Sequence, residues 1–394
     1  MQPRLGIYIH IPFCASKCGY CDFYSCAGAA ERMAEYQQAL LEHIEESAGR
    51  IAPAYIDTVY FGGGTPSFYG AARLIELLDA VKATGRLLKR AEVTVEVNPD
   101  SVRLHDLRAL RKAGFNRLSI GMQSANNDIL KMIGRRHSYR QVEMAVENAR
   151  TAGFDNISLD LIYGLPSQTR SDWADTLAKA LALRPEHISG YGLKLEEGTP
   201  MYALKDSPLI PSDDEQADMY LCMVEELRHY GYEQYEISNF SIPGYESRHN
   251  LKYWMLEEYA GFGPGAYSDF GGVRYGYTRD LDGYIAGRLD LAESERISPQ
   301  EREMEYIMLR LRTARGIDIR EFENRFRQRF APLAAILESC AAHGLARQTE
   351  TGWCLTPRGF LVSNRIIGDL QEELNREKVQ RLARAARGDY RVLE

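Results

Sequence analysis

Short runs of β-branched and aromatic residues recur along the first half of the chain, each followed by a longer stretch with apolar residues at helical spacing. Six runs read as strands: residues 5–11, 58–62, 92–97, 117–121, 157–163 and 188–193. Helical periodicity covers residues 32–47, 73–83, 104–113, 139–152, 173–183 and 214–230. Parallel neighbours need a crossover connection, and a helix is the usual one, so this alternation predicts a parallel α/β architecture. Six units fall short of a closed eight-unit barrel, which predicts a partial (βα)6 TIM-like barrel. Chemistry in such barrels gathers on the loops after the C-terminal strand ends. A doubly wound nucleotide-binding sheet is the rival, but no G-x-G-x-x-G follows any strand.

The pattern changes twice further on. Residues 234–284 are rich in Tyr, Gly and Phe, with Pro243-Gly244 as a turn, and are expected to extend the open side of the barrel. From about Ser298, helices at 300–312, 319–329 and 333–343 precede two short strands, 346–349 and 353–356, and a helix starting near Pro357. That order predicts a small winged-helix-like domain, ending in an Arg/Glu-rich amphipathic helix at 370–386. The expected domains are therefore 1–233, 234–297 and 298–394.

Composition narrows the function. The chain has 394 residues, 45% hydrophobic and 26% charged, with a formal net charge of −7, which is ordinary for a globular protein and argues against a basic nucleic-acid surface. The Arg residues of the winged-helix-like region are matched by Glu and Asp, so it reads as a lid or docking surface, with no nucleic-acid partner. No apolar run approaches the roughly 20 residues of a membrane span. The first strand starts too soon after Met1 for a signal peptide, and seven cysteines without disulfide-like spacing suit a reducing compartment. The expected location is cytoplasmic.

The most specific chemistry is Cys14, Cys18 and Cys21, a C-x-x-x-C-x-x-C loop directly after the first strand. Four-iron clusters are normally held by four thiolates. Three on one loop leave one iron open to a ligand other than protein. Phe13, Tyr20 and Phe23 are placed to shield it, and no downstream Cys or His pair at zinc spacing completes a zinc site. Gly62-Gly63-Gly64-Thr65-Pro66 follows the second strand, where consecutive glycines allow close approach of the backbone to a ligand.

These words, with Tyr8-Ile-His-Ile-Pro-Phe-Cys14 and Cys18-Gly-Tyr-Cys21-Asp-Phe, resemble the radical S-adenosylmethionine superfamily, and within it the anaerobic coproporphyrinogen oxidase group. The resemblance implies a [4Fe-4S] cluster on the three cysteines and S-adenosylmethionine on the open iron. It also implies cofactor contacts from Tyr8, Tyr20, Gly63, Gly64, Thr65, Glu96, Gln123, Arg135 and Asp160, with Asn98 in the same layer. Glu96 and Gln123 end successive strands, and Arg135 can meet a carboxylate bidentately.

Two features separate the chain from the oxidases of that group. Phe23 stands where they carry a further cysteine, and their extension before the first strand is missing. His249-Asn-Leu-Lys-Tyr-Trp254 instead matches the H-N-x-x-Y-W pattern of the HemW-type haem chaperones, and Glu196-Glu-Gly-Thr-Pro200 and Gly261-Phe-Gly-Pro-Gly-Ala266 resemble that subgroup too. This resemblance implies haem as cargo, with His249 as iron ligand and Tyr253 and Trp254 against the macrocycle. Acceptor haemoproteins, an electron donor and peripheral contact with membrane-bound acceptors would be its partners. The alternative is oxygen-independent decarboxylation of coproporphyrinogen III.

Overall fold

A computed structural model describes residues 4–386, with side chains to residue 379. The first compact unit comprises residues up to 233, 238–253 and 257–296. Six strands run parallel and in order through it: β1 (Arg4–Ile11), β2 (Tyr55–Gly63), β3 (Arg86–Val97), β4 (Arg117–Gln123), β5 (Ile157–Tyr163) and β6 (His187–Gly192). The six predicted strands are all present. β3 starts earlier than its apolar run suggests, because the edge-like Arg86-Leu87 pair still finds partners in Tyr55 and Ile56 of β2.

Strand alternation decides what the barrel contains. Leu5, Ile7, Ile9 and Ile11 of β1, and Leu118, Ile120 and Met122 of β4, are fully buried on the face that meets the helices. The opposite face carries Tyr8 and His10 on β1, Tyr60 on β2, Glu96 on β3, Arg117 and Ser119 on β4, Asp160 on β5 and Ser189 on β6. Successive side chains point to opposite faces, so the interior of this barrel is polar. The outer face is sealed by helices whose apolar residues recur every three to four positions. In α1 (Met33–Glu46) these include Tyr36, Leu40 and Ile44, and in α2 (Ala71–Thr84) Leu74, Leu77, Leu78 and Val81. The next helices are α3 (Leu104–Ala113), α4 (Asn127–Met132), α5 (Tyr139–Thr151), α6 (Arg170–Ala182) and α7 (Asp213–His229). Capping boxes at Ser138/Gln141, Thr169/Asp172 and Ser212/Glu215 fix where α5, α6 and α7 begin.

The segment after α7 does extend the sheet. β7 (Asn239–Ser241) joins β6 antiparallel. Helix α8 (Arg248–Met255) follows, and then β8 (Tyr259–Phe262) pairs parallel with β1. β9 (Tyr267–Phe270), β10 (Val273–Tyr277) and β11 (Leu291–Glu295) continue outward from β8 as an antiparallel meander.

The second unit gathers residues 234–237, 254–256 and 297 onward. Its helices are α9 (Pro299–Arg310), α10 (Ile319–Phe326), α11 (Ala331–Ala342), α12 (Pro357–Leu361) and α13 (Ser363–Ala386). The two strands expected of the wing, β13 (Ala346–Gln348) and β14 (Gly352–Leu355), are joined by β12 (Ile317–Asp318), which is too short to leave a sequence pattern. Tyr306, Phe322 and Phe330 fill its core.

Candidate functional site

Cys14 ends a two-residue ladder, Phe13–Cys14 against Cys26–Ala27, that leaves the C-terminal end of β1. Its buried Sγ lies 3.3 Å from Thr65 Oγ1. The glycine loop is pressed onto the cysteine loop by its own amides, Gly64 N–H donating to Ile11 O and Thr65 N–H to Phe13 O, each at 2.8 Å. A Cβ on Gly64 would stand 2.8 Å from Phe13 O, and Gly63 has φ +118 with His10 beside it. Both positions therefore require glycine. Cys18 is held from the other side, where Gly19 N–H donates to Ile133 O at 3.1 Å and Arg135 Nη1 lies 3.8 Å from Cys18 Sγ. Burial pushes the Cys14 and Cys21 thiols up, and each also feels the charge of Cys18.

Tyr20 packs on the cluster of Ile129, Leu130, Ile133 and Met201, and Phe13 stacks on Tyr69. Phe23, expected to shield the loop, is instead 70% exposed at the cavity rim. It lies at a bend two residues after Cys21, outside any helix or strand.

Above the barrel interior, Glu96 accepts from Tyr60 Oη (2.9 Å) and Gly63 N–H (3.1 Å). Burial raises its pKa to about 7, and no cation pairs with it among the described residues. Arg135 Nη2 donates to Asn98 Oδ1 (2.7 Å) and Gly121 O (2.9 Å). Gln123, buried at the end of β4, adopts φ +62, a left-handed conformation that costs a non-glycine residue about 1 kcal/mol. Asp160 accepts from Ser119 Oγ (2.9 Å) and Ser158 Oγ (3.3 Å), and burial raises its pKa.

One cavity of about 460 Å³, within the size range of small-molecule sites, is lined by Cys14, Cys18, Cys21, Tyr20, Gly63, Gly64, Thr65, Glu96, Gln123, Arg135 and Asp160. Tyr8, His249, Tyr253 and Trp254 do not reach it. Tyr8 lies beneath, bonded to His10 Nδ1 at 3.0 Å and stacked on Tyr60. Sequence reasoning missed Tyr60, Arg117, Ser119, Ser189 and Asn250, which line the same cavity. Four of these sit on the polar parity of their strands, a signal that the alternation carried.

The H-N-x-x-Y-W segment forms α8 and closes the barrel floor. His249 is buried, its Nδ1 2.8 Å from Thr58 Oγ1 and its Nε2 2.8 Å from Tyr253 Oη, while its backbone N–H donates to Glu92 Oε1. Its ring stacks on Tyr60 at 5.2 Å, and burial with the charges of Lys252 and Arg117 lowers its pKa to about 3. Trp254 is half-buried and belongs to the second unit. In this arrangement both ring nitrogens of His249 are engaged and the ring is enclosed, so iron ligation by His249 would need α8 to open.

Residues 8–180 match the radical SAM superfamily, and residues 297–362 match the HemN C-terminal domain. A Bacillus subtilis protein named heme chaperone HemW is 35% identical over 93% of this chain and 99% of its own length. The Escherichia coli heme chaperone HemW is 33% identical over 93% and 97%. The chain belongs to the HemW family. In fold it is similar to the Escherichia coli coproporphyrinogen III oxidase HemN, described as a radical SAM enzyme, with a TM-score of 0.81 and 23% identity over 94% of this chain and 90% of that one. Superfamily membership implies S-adenosylmethionine and a four-iron cluster, and the cavity fits both. Three thiols line it together, and the buried, unpaired Glu96 carboxylate suits an ammonium group. Among the described residues no three His, Cys, Asp or Glu converge on a single ion. A cubane does not need that, because its thiolates go to separate irons.

Proposed function

We propose that this chain is a haem carrier that holds a [4Fe-4S] cluster on Cys14, Cys18 and Cys21 and S-adenosylmethionine in the adjoining cavity, and that it passes haem to acceptor haemoproteins. The observation that carries the cofactor half is the convergence of the three thiols, Glu96 and Arg135 on one cavity. The haem half is supported by the names of relatives that match nearly end to end. Bound together, cluster and S-adenosylmethionine supply one-electron reductive cleavage. The protein's part is to orient and to exclude water: Glu96 meets the amino group, Arg135 the carboxylate, and the Gly63–Thr65 backbone the remaining edge. Titration of cluster-loaded protein with haem, followed in the Soret band, is expected to saturate at one equivalent. Anaerobic incubation with coproporphyrinogen III, S-adenosylmethionine and a reductant is expected to leave its mass unchanged. Multiple-turnover loss of two carboxyl groups would replace this reading by the oxidase.

The Glu96 pKa sets a pH dependence. The carboxylate, not the acid, attracts an ammonium group, so affinity for S-adenosylmethionine is expected to rise with pH through about 7 and then level off. The response of the reduced cluster's electron paramagnetic resonance signal reads it, and Glu96→Gln should bind more weakly with the pH step gone. A step of equal size in Glu96→Gln would assign the titration elsewhere.

His249→Ala is expected to lower stability by about 2 kcal/mol, since it empties a buried site and strands the Thr58 and Tyr253 hydroxyls. Haem stoichiometry should survive. Lost haem binding with unchanged thermal stability would show instead that α8 opens and His249 ligates iron.

A further inference from the structure

The cavity wall carries two polar side chains that have no hydrogen-bond partner among the described residues. Arg117 opens β4, six positions before Gln123, and is 1% exposed. It lines the cavity, yet among the described residues it makes no hydrogen bond or ion pair, and its Nε is buried without a partner. The side-chain amide of Asn250, which reaches the cavity from α8, also lacks a partner among the described residues. Buried guanidinium groups normally end on a carboxylate, because an unpaired buried charge is costly.

The acids nearby bond to neutral donors instead: Glu96 accepts from Tyr60 and the Gly63 amide, and Asp160 from Ser119 and Ser158. Neither lies within ion-pair distance of Arg117. The plain reading is that Arg117 balances these two carboxylates through space. That leaves its donors, and those of Asn250, without partners among the described residues at the cavity wall, which long-range balance does not require.

We propose that Arg117 and Asn250 form a carboxylate subsite at the inner end of the cavity, taking the head group of a small organic acid alongside S-adenosylmethionine. The chemistry selects the class. A guanidinium offers two parallel N–H donors that match the two oxygens of a planar carboxylate. One fixed cation and a neutral amide, with Asp160 and Glu96 close by, favour a monoanion over a doubly charged phosphate. Ile162 and Tyr191 line the same cavity and offer apolar surface to the body of such an acid. This subsite is independent of haem carriage and would stand if that reading fell.

The probe is sodium propionate, titrated calorimetrically at constant ionic strength into cluster-loaded protein saturated with S-adenosylmethionine. Saturable binding is expected for the natural protein. Arg117→Met should weaken it at least tenfold and Asn250→Ala severalfold, with cluster content and the spectroscopic response to S-adenosylmethionine retained in both. Arg117→Met should also melt no lower than the natural protein, because it removes an unpaired buried charge. No saturable binding of propionate, or equal affinity in natural protein and Arg117→Met, would overturn the subsite. So would a marked fall in melting temperature of Arg117→Met, which would make Arg117 a structural counter-ion. Should that variant fail to fold, unchanged affinity in Asn250→Ala would overturn the subsite as well.

Discussion

Replacing any one of Cys14, Cys18 or Cys21 by Ala is expected to abolish the four-iron cluster, while the same change at Cys26, Cys222, Cys340 or Cys354 leaves cluster content nearly intact. The three thiols line one cavity, and Cys14 and Cys21 both feel the charge of Cys18. With one iron already open, losing a thiolate leaves two irons without a protein ligand, and the site cannot recruit a substitute from the other four. Cys222 lies on α7, Cys340 on α11 and Cys354 on β14, and none of these lines the cavity. Cys26 is nearest along the chain, but its part is to pair in the ladder that leads into Cys14. Because burial raises the Cys14 and Cys21 thiols, the apo-protein keeps them protonated at neutral pH, and reconstitution should quicken as pH rises. Iron and sulfide assays after anaerobic reconstitution measure this. A full cluster in the Cys18 variant would end the assignment.

Much of the cavity could be read from the chain because its parts are local. The cysteine loop and the glycine loop each sit within a few residues of a strand end, and a barrel brings successive strand ends together whatever the helices between them do. What could not be read was depth. Arg117 and Asp160 both lie on the polar parity of strands, but only register sets them layers apart: the β4–β5 pairing places Gly121, four residues after Arg117, opposite Asp160, with an irregularity between Gly121 and Gln123. His249 shows the limit from another side. An exposed ligand and a buried plug use the same residue types, H-N-x-x-Y-W. What separates them is that Thr58, Glu92 and Asp57, from strands far earlier in the chain, engage the polar groups of His249 and Lys252.

The same floor yields the largest expected loss of stability. Lys252 is 2% exposed at its side chain, with Nζ 2.8 Å from Asp57 Oδ1 and 3.1 Å from Glu257 Oε2. The Asp57 contact is ionic rather than a well-aligned hydrogen bond, and that carboxylate is itself only 6% exposed. The lysine stem crosses β1 at Gly6, where a Cβ would stand 2.8 Å from Lys252 Cδ, so β1 has a glycine where the plug passes. Lys252→Ala removes that packing and leaves Asp57 buried without a cation, a loss of roughly 3–5 kcal/mol. The melting temperature should fall by roughly 10 °C. Pairing the change with Asp57→Leu, as Lys252→Met, should recover most of it, because a buried ion pair is worth little more than well-packed apolar residues. The damage should also travel upward. The plug carries His249, His249 stacks on Tyr60, and Tyr60 holds Glu96 at 2.9 Å, so Lys252→Ala should also need more S-adenosylmethionine to saturate the cluster's spectroscopic response. Calorimetry and that titration, run on the same samples, check both. A single variant that melts like the natural protein would show that the floor does not depend on this pair.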